Sequence, residues 1–391
     1  MSDTRFKPAD RLKQIPPYLF SEIDKAKQKA IAKGVDIINL GIGDPDMPTP
    51  RKIIEALAEA GARPENHQYP SYEGLLELRR EFSAYMKKRF DVELDPATEV
   101  LTLIGSKEGI AHLPLAFVNP GDVVLVPDPG YPVYTAGTVL AGGIPYYLPL
   151  TAENNFLPDF ERIDPKAAAR AKLLWLNYPN NPTAAVADKT FFEKAIKFAE
   201  KYDIIVCQDA AYCELAFDGL KPVSIFEVAG AKDRAIEFHS LSKTYNMTGW
   251  RIGFAAGNAE VVAALGSIKT NVDSGVFRAV QYAGIAALKL PPKTVTDNAA
   301  VYQERRDILV EGLRSLDWNM PKPKATFYVW APSPNGYSSA QLTKKLLEEA
   351  DIVTTPGNGF GRQGEGYIRF ALTVDKKRLA EAVERIKRIS F

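Results

Sequence analysis

The sequence predicts an α/β protein: a large domain with a mainly parallel sheet sandwiched by helices, plus a smaller α+β domain. From about residue 50 to 290, short β-branched runs alternate with amphipathic helical patterns, as parallel strands linked by crossover helices require. After Lys289-Leu290-Pro291-Pro292-Lys293 the texture changes to one long helical pattern followed by isolated strand runs. With 391 residues, 46% of them hydrophobic, the chain is long enough to bury a large core and to divide into two domains. The expected division is 48–290 for the large domain, with 1–47 and 291–391 forming an N-terminal arm and the small domain.

Within the arm, Ser21 is a candidate N-cap for a helix over Glu22–Lys33. The strand candidates of the large domain are Val100–Ile104, Val123–Val126, Lys172–Leu176, Ile204–Cys207, Ala235–Phe238 and Ile252–Ala256. Helical patterns cover Ile53–Ala60, Leu75–Arg89, Glu108–Phe117 and Phe191–Tyr202, the last with Phe192, Ala195, Ile196 and Ala199 on one stripe. In the small domain a helix is expected from about Thr294 to Leu316, strands at Phe327–Trp330 and Gly366–Leu372, and a closing helix with Leu379, Val383 and Ile386 in phase. In a sheet of this kind ligands bind beyond the carboxyl ends of the strands.

Composition excludes several functions. Lys plus Arg number 49 and Asp plus Glu 48, so no global field draws the chain to nucleic acid or an anionic membrane. No apolar run approaches the roughly 18 residues of a membrane span, and Met1–Lys7 lacks the apolar core of a secretory signal, which makes the cytoplasm the expected location. Cys207 and Cys213 lack the partners of a zinc site or disulfide framework, and His67, His112 and His239 are scattered; no metal is expected.

The richest stretch is Ser240-Leu241-Ser242-Lys243-Thr244-Tyr245-Asn246-Met247-Thr248-Gly249-Trp250-Arg251. A partly desolvated lysine at a strand end loses its proton readily and becomes a Schiff-base nucleophile. The neighbouring hydroxyls and guanidinium suit a phosphate dianion. A phosphorylated aldehyde, pyridoxal 5'-phosphate, meets both requirements. That cofactor needs an acid beneath its ring nitrogen, a phosphate cradle and an anchor for the substrate carboxylate. Asp209, ending a strand, is the candidate acid. Gly105-Ser106-Lys107-Glu108-Gly109, between a strand and a helix, is the candidate cradle. Arg369, inside an apolar strand and costly there unless paired, is the candidate anchor.

Taken together these strings resemble the fold-type I pyridoxal-phosphate aminotransferases, the aspartate aminotransferase-like family, over nearly the whole chain. The resemblance implies that Lys243 is the catalytic lysine, that Asp209 protonates the pyridine nitrogen, and that Tyr212 and Asn181 face the ring 3-hydroxyl oxygen. It implies phosphate contacts from Ser106, Lys107, Ser240 and Arg251, ring stacking by Tyr131, and a backbone approach of Gly43 to the carboxylate that Arg369 holds. It further implies a homodimer in which Tyr69 reaches the neighbouring subunit's cofactor phosphate. The family string after Asn181 usually ends in glycine where this chain has Ala184, so the turn there is in question.

The expected activity is transfer of an amino group between an amino acid and a 2-oxo acid by a ping-pong mechanism. The segments Gly105–Ile110, Asn271–Phe277, Ala325–Trp330 and Gly364–Tyr367 resemble the LL-diaminopimelate aminotransferase branch, which serves lysine biosynthesis. Its substrate carries a second ammonium and carboxylate; Glu73 is a candidate for the distal ammonium and Ser274, from the adjoining subunit, for a polar contact. The rivals are a broad alanine or aspartate aminotransferase and a β-lyase on the same fold. A DNA-binding regulator would need a helix-turn-helix pattern, and none precedes Pro48.

Overall fold

The computed structural model describes residues 6–15, 28, 32 and 34–391. The helix expected over Glu22–Lys33 with its cap Ser21 lies outside the described residues, apart from Gln28 and Ala32. In chain order the strands are β1 (Ile38–Asn39), β2 (Val100–Leu103), β3 (Val123–Asp128), β4 (Ile144–Pro149), β5 (Ala171–Asn177), β6 (Ile205–Asp209), β7 (Ala235–Ser240), β8 (Gly253–Gly257), β9 (Tyr328–Pro332), β10 (Ile352–Val353), β11 (Thr355–Pro356) and β12 (Tyr367–Ala371).

The large sheet runs β2-β8-β7-β6-β5-β3-β4. Its neighbours are parallel except β8, which is antiparallel to both β2 and β7. The strands are covered on both faces, and successive residues serve opposite cores: Val124, Leu173, Cys207 and Ile236 enter one cluster, Leu125, Leu174 and Val206 the other. Because β2, β3, β5, β6 and β7 all point the same way, their carboxyl ends share one rim with the start of β8. The sequence positions just beyond those ends therefore meet in space.

Every helix and strand expected in the large domain forms, with ends shifted by at most two residues. Strand β4 and the helices Val133–Leu140, Ala259–Val272 and Arg278–Leu288 were not among the expectations. β4 is an edge strand whose outward residues are exposed, so it lacks the uniform apolar run of the strands inside.

The smaller α+β part holds an antiparallel sheet, β11-β12-β9, and the parallel pair β1-β10. Helices Pro292–Arg314, Ser339–Ala350 and Lys376–Ile386 pack on it around Leu309, Leu342, Leu346, Leu379 and Ile386. Leu40 donates to Val353 O at 2.8 Å and accepts from Ala371 N at 2.7 Å, which fixes the segment leading to Gly43 against β12. The long helix reaches back toward the large sheet. Its Asn298 amide donates to the carbonyls of Lys243 and Thr244 at 3.1 and 3.2 Å, and Arg305 grips Asp46 with both terminal nitrogens at 2.6 and 2.8 Å.

Candidate active site

A cavity of about 300 Å³ lies over the shared rim, lined by Gly43, Ser106, Lys107, Tyr131, Asn181, Asp209, Tyr212, Ser240, Lys243, Arg251 and Arg369. Those eleven are sequence candidates. The lining also includes Ile42, Asn177, Ala211, Ser242 and Tyr328, which the sequence reading did not single out as site residues. The other three candidates, Tyr69, Glu73 and Ser274, lie outside this lining on exposed surface.

Lys243 sits on the one-turn helix Leu241–Thr244 directly after β7, capped by the Ser240 hydroxyl, which accepts from Ser242 N at 3.2 Å. Its amine faces the Gly43 carbonyl at 3.5 Å. Burial brings the amine down to about 8; Asp44 opposes that shift, and the cations Arg251 and Arg369 reinforce it. A lysine so placed reaches its neutral, nucleophilic form far more easily than one in water.

Asp209 ends β6 and is buried, which lifts its carboxyl to about 6 against the pull of the Tyr134 hydroxyl. Tyr134 donates to Oδ2 at 2.8 Å and Ala211 N to Oδ1 at 3.2 Å, so the carboxylate is held from two sides. Tyr134 itself stacks on Trp175, with ring centroids 5.1 Å apart and planes 19° apart. This second support was missed in the sequence, although Tyr134 is the third residue after Tyr131 and would have fallen in the next helical turn.

The phosphate cradle candidate has the geometry an anion needs. Gly105 has a positive φ of 73° and precedes the helix Ser106–Phe117, and a Cβ there would overlap the Arg251 guanidinium. Glycine thus lets the cation approach the helix start closely. Ser106, Lys107, Ser240 and Arg251 all open on the same cavity.

On the opposite wall, fully buried Arg369 donates to Asn181 Oδ1 at 2.7 Å and to the Gly41 carbonyl at 2.9 Å. Arginine has only donors, so this contact fixes the Asn181 amide with its oxygen toward Arg369, leaving its NH2 group as a donor. The string around Asn181 folds as a turn despite the missing glycine: Ala184 adopts φ 58°, with Ala184 N donating to Asn180 O and Asn180 N to Ala185 O. An alanine there bears about 1 kcal/mol of backbone strain that glycine would relieve.

The histidines and cysteines play other parts. His239 is buried with Nε2 2.7 Å from Glu237, and His67 faces the Gly61 carbonyl. His112 lies 3.1 Å from Glu108; where Glu108, His112 and Asp273 converge, the ammonium of Lys269 already bonds Glu108 and Asp273. Both thiols are free and buried.

Comparison with known proteins decides the family. Residues 35–386 match the model of aminotransferase class I and II. The chain belongs to this family. It is 58% identical over 99% of its length to the whole of the LL-diaminopimelate aminotransferase of Syntrophobacter fumaroxidans, and 57% identical over 99% to the whole of that of Aquifex aeolicus. Among solved structures, substrate-bound BacF from Bacillus subtilis superposes with a TM-score of 0.94 at 42% identity, covering 98% of each chain. A mutant aspartate aminotransferase from Thermus thermophilus superposes with 0.91 at 29%, covering 98% of this chain and 99% of its own. The protein is a pyridoxal-phosphate-dependent aminotransferase of fold type I. The cavity fits that cofactor: a lysine amine, a buried carboxylate, and a glycine-opened helix start with its arginine are the three groups the aldehyde, ring nitrogen and phosphate require. Among the described residues no helix is long and apolar enough to cross a membrane.

Proposed function

We propose that this chain is an LL-diaminopimelate aminotransferase, forming LL-diaminopimelate from the water-opened, 2-amino-6-oxo form of the cyclic imine tetrahydrodipicolinate, with glutamate as amino donor and 2-oxoglutarate as the second product. The observation that carries the chemistry is the lowered amine of Lys243 in one cavity with buried Asp209 and Arg369. The assignment of substrate rests on relatives of that name that are more than half identical along their full length.

In this reading Lys243 holds the cofactor aldehyde, Asp209 its ring nitrogen, and Ser106, Lys107, Ser240 and Arg251 its phosphate, with Tyr131 against the ring. When bound, the cofactor supplies an electron sink for the pair of electrons left at the substrate Cα. The chain supplies the rest. Arg369 receives the substrate α-carboxylate in a two-pronged contact beside Gly43, which orients the Cα–H bond for removal. Lys243 Nζ, opening on the cavity beside the place Arg369 and Gly43 leave for the substrate, would be the one base that takes up and gives back the Cα proton. Tyr212 and the Asn181 NH2 group would hold the cofactor's ring oxygen as hydrogen-bond donors, lowering the proton affinity of the bound ring system. Release of one 2-oxo acid before entry of the next gives ping-pong kinetics.

The same proposal makes the enzyme a homodimer with composite sites. Tyr69 is 83% exposed, and Tyr72, Val272 and Phe277 near it are also exposed apolar side chains. The two segments form one surface: Arg278 donates to the carbonyls of Glu65 and Tyr69, and Gly275 lies against Ser71 and Pro70. A second copy seated there would bring Tyr69 to the partner's cofactor phosphate and Glu73 and Ser274 to the distal end of the substrate. The test mixes holoenzyme separately with glutamate and with LL-diaminopimelate and follows the cofactor's visible absorbance. Both are expected to convert it to the amine form. Conversion by glutamate alone would leave an aminotransferase and remove the diaminopimelate assignment.

A further inference from the structure

Tyr328 opens β9 and lines the cavity; it lies within the string Ala325–Trp330, but none of the roles above falls to it. The strand pairs so that Arg369 of β12 lies opposite Trp330, placing Tyr328, two residues earlier, on the same sheet face as the diagonal neighbour of Arg369. The Arg369 guanidinium carbon is 4.0 Å from the Tyr328 ring centroid, with the Phe360 ring at 4.7 Å. At its other end the Tyr328 hydroxyl is 3.2 Å from that of Tyr212. It also occupies the space a side chain at position 43 would need, since a Cβ on Gly43 would overlap it. The residue is anchored at its own backbone, Tyr328 N donating to Thr326 Oγ1 at 3.1 Å.

We propose that Tyr328 is a positioning residue with two separable functions. Its ring face holds Arg369 for the substrate carboxylate, and its hydroxyl donates to Tyr212 so that the Tyr212 proton is directed at the cofactor's ring oxygen. The inference rests on the aminotransferase reading and extends it to a residue that touches both halves of the chemistry. A planar cation against an aromatic face loses freedom before substrate arrives, so less is lost on binding. A hydroxyl accepting a hydrogen bond becomes a better donor, which strengthens the bond that lowers the proton affinity of the cofactor's ring system.

Tyr328→Phe keeps the ring and removes the hydroxyl. The pH midpoint of the bound cofactor's visible absorbance should rise by about 0.5 to 1 unit, with KM for glutamate changed less than about twofold. Tyr328→Leu removes the ring. It should raise KM for glutamate and 2-oxoglutarate by about 5- to 30-fold, following the loss of a partly desolvated cation–π contact, while cofactor affinity measured on apoprotein by fluorescence stays within about threefold. An unmoved midpoint in Tyr328→Phe overturns the hydroxyl function, and an unmoved KM in Tyr328→Leu overturns the ring function. Tyr328→His, aromatic but smaller, should restore part of the KM if the ring face is what matters; a KM as high as that of the leucine variant counts against it. Borohydride reduction of the wild type keeps the two levels apart: cofactor not tethered at Lys243 sinks the aminotransferase assignment of the site, whatever the variants do.

Discussion

The cavity and the surface formed by residues 69–74 and 271–277 are built on opposite principles. In the cavity the reactive groups are fixed by other parts of the same chain: Asp209 by Tyr134 and Ala211, Arg369 by Asn181 and Gly41, and the Lys243 turn by Asn298. On the outer surface Tyr69, Glu73 and Ser274 are exposed, although the carbonyls of Tyr69 and Glu73 are held by Arg278 and Thr102 N. The difference teaches where preorganisation resides. Proton transfer needs groups whose positions are set before binding, and the cavity's own chain fixes them. In the proposed dimer, reading of the substrate's far end would fall to this outer surface, covered by a second copy.

The largest expected effect belongs to the interior. Lys243→Ala should lower kcat by at least about 10⁴-fold, since both the covalent anchor and the base for the Cα proton go at once. Single-turnover spectra with glutamate measure it, and peptide mapping after borohydride should find no tethered cofactor. Retention of more than about one hundredth of the wild-type rate would mean that another amine does the work.

Asp209→Asn should act in two directions, because a group preorganised for its cofactor costs the empty protein stability. Burial raises the folded-state carboxyl from 3.8 to about 6, so the folded chain binds the proton more tightly than the unfolded one. The favourable contribution is therefore full below about pH 4 and lost as pH rises through 6. At pH 7 the asparagine variant should make the apoprotein more stable by about 3 kcal/mol, with the gap closing toward pH 4. Urea unfolding across that range reads it. Cofactor affinity should meanwhile fall at least tenfold, the loss expected for a charge-assisted hydrogen bond. An apoprotein no more stable at pH 7 would show that the carboxylate is solvated in the cavity.

Tyr69→Phe tests whether the outer surface contributes to the interior at all. Loss of one hydroxyl from a charged phosphate should weaken cofactor binding by about tenfold, roughly 1.5 kcal/mol. Hybrids of Lys243→Ala and Tyr69→Phe subunits distinguish the route. If the tyrosine acts across the interface, each hybrid carries one site with wild-type Lys243 and wild-type Tyr69, and tight binding returns. Hybrids with no tight site would place Tyr69 in its own subunit.

How far the sequence reads into this comparison depends on the range of the interactions involved. Lys243, Asp209, Ser106 and Asn181 are legible because each lies at a strand end or within a few residues after it, so local order along the chain dictates their shared rim. Tyr328 and Tyr134 are not, since their roles are contacts with residues 116 and 75 positions away that only register and packing create. The reversed direction of β8 was equally hidden, because an apolar run carries no sign of its polarity. Ala184 is the reverse case: the string announced a conflict with the expected glycine, and the fold accepts it as a residue at positive φ. Glu73 and Ser274 are visible as residue types, yet what faces them lies beyond the single chain.

Those two residues should give the smallest effects and the sharpest test of the contrast. Both are exposed in the single chain, and a contact made only at the margin of an interface contributes about 0.2 to 1 kcal/mol. Glu73→Gln should therefore raise KM for LL-diaminopimelate by about two- to fivefold while leaving that for glutamate, which has no distal ammonium, unchanged within error. Ser274→Ala, losing one neutral hydrogen bond, should stay below about threefold on the same substrate. Steady-state kinetics with both donors on each variant measures the ratio, which cancels any change in active fraction. Equal changes for the two donors would tie these side chains to assembly of the dimer, and unchanged diaminopimelate kinetics in Glu73→Gln would remove that residue from distal recognition.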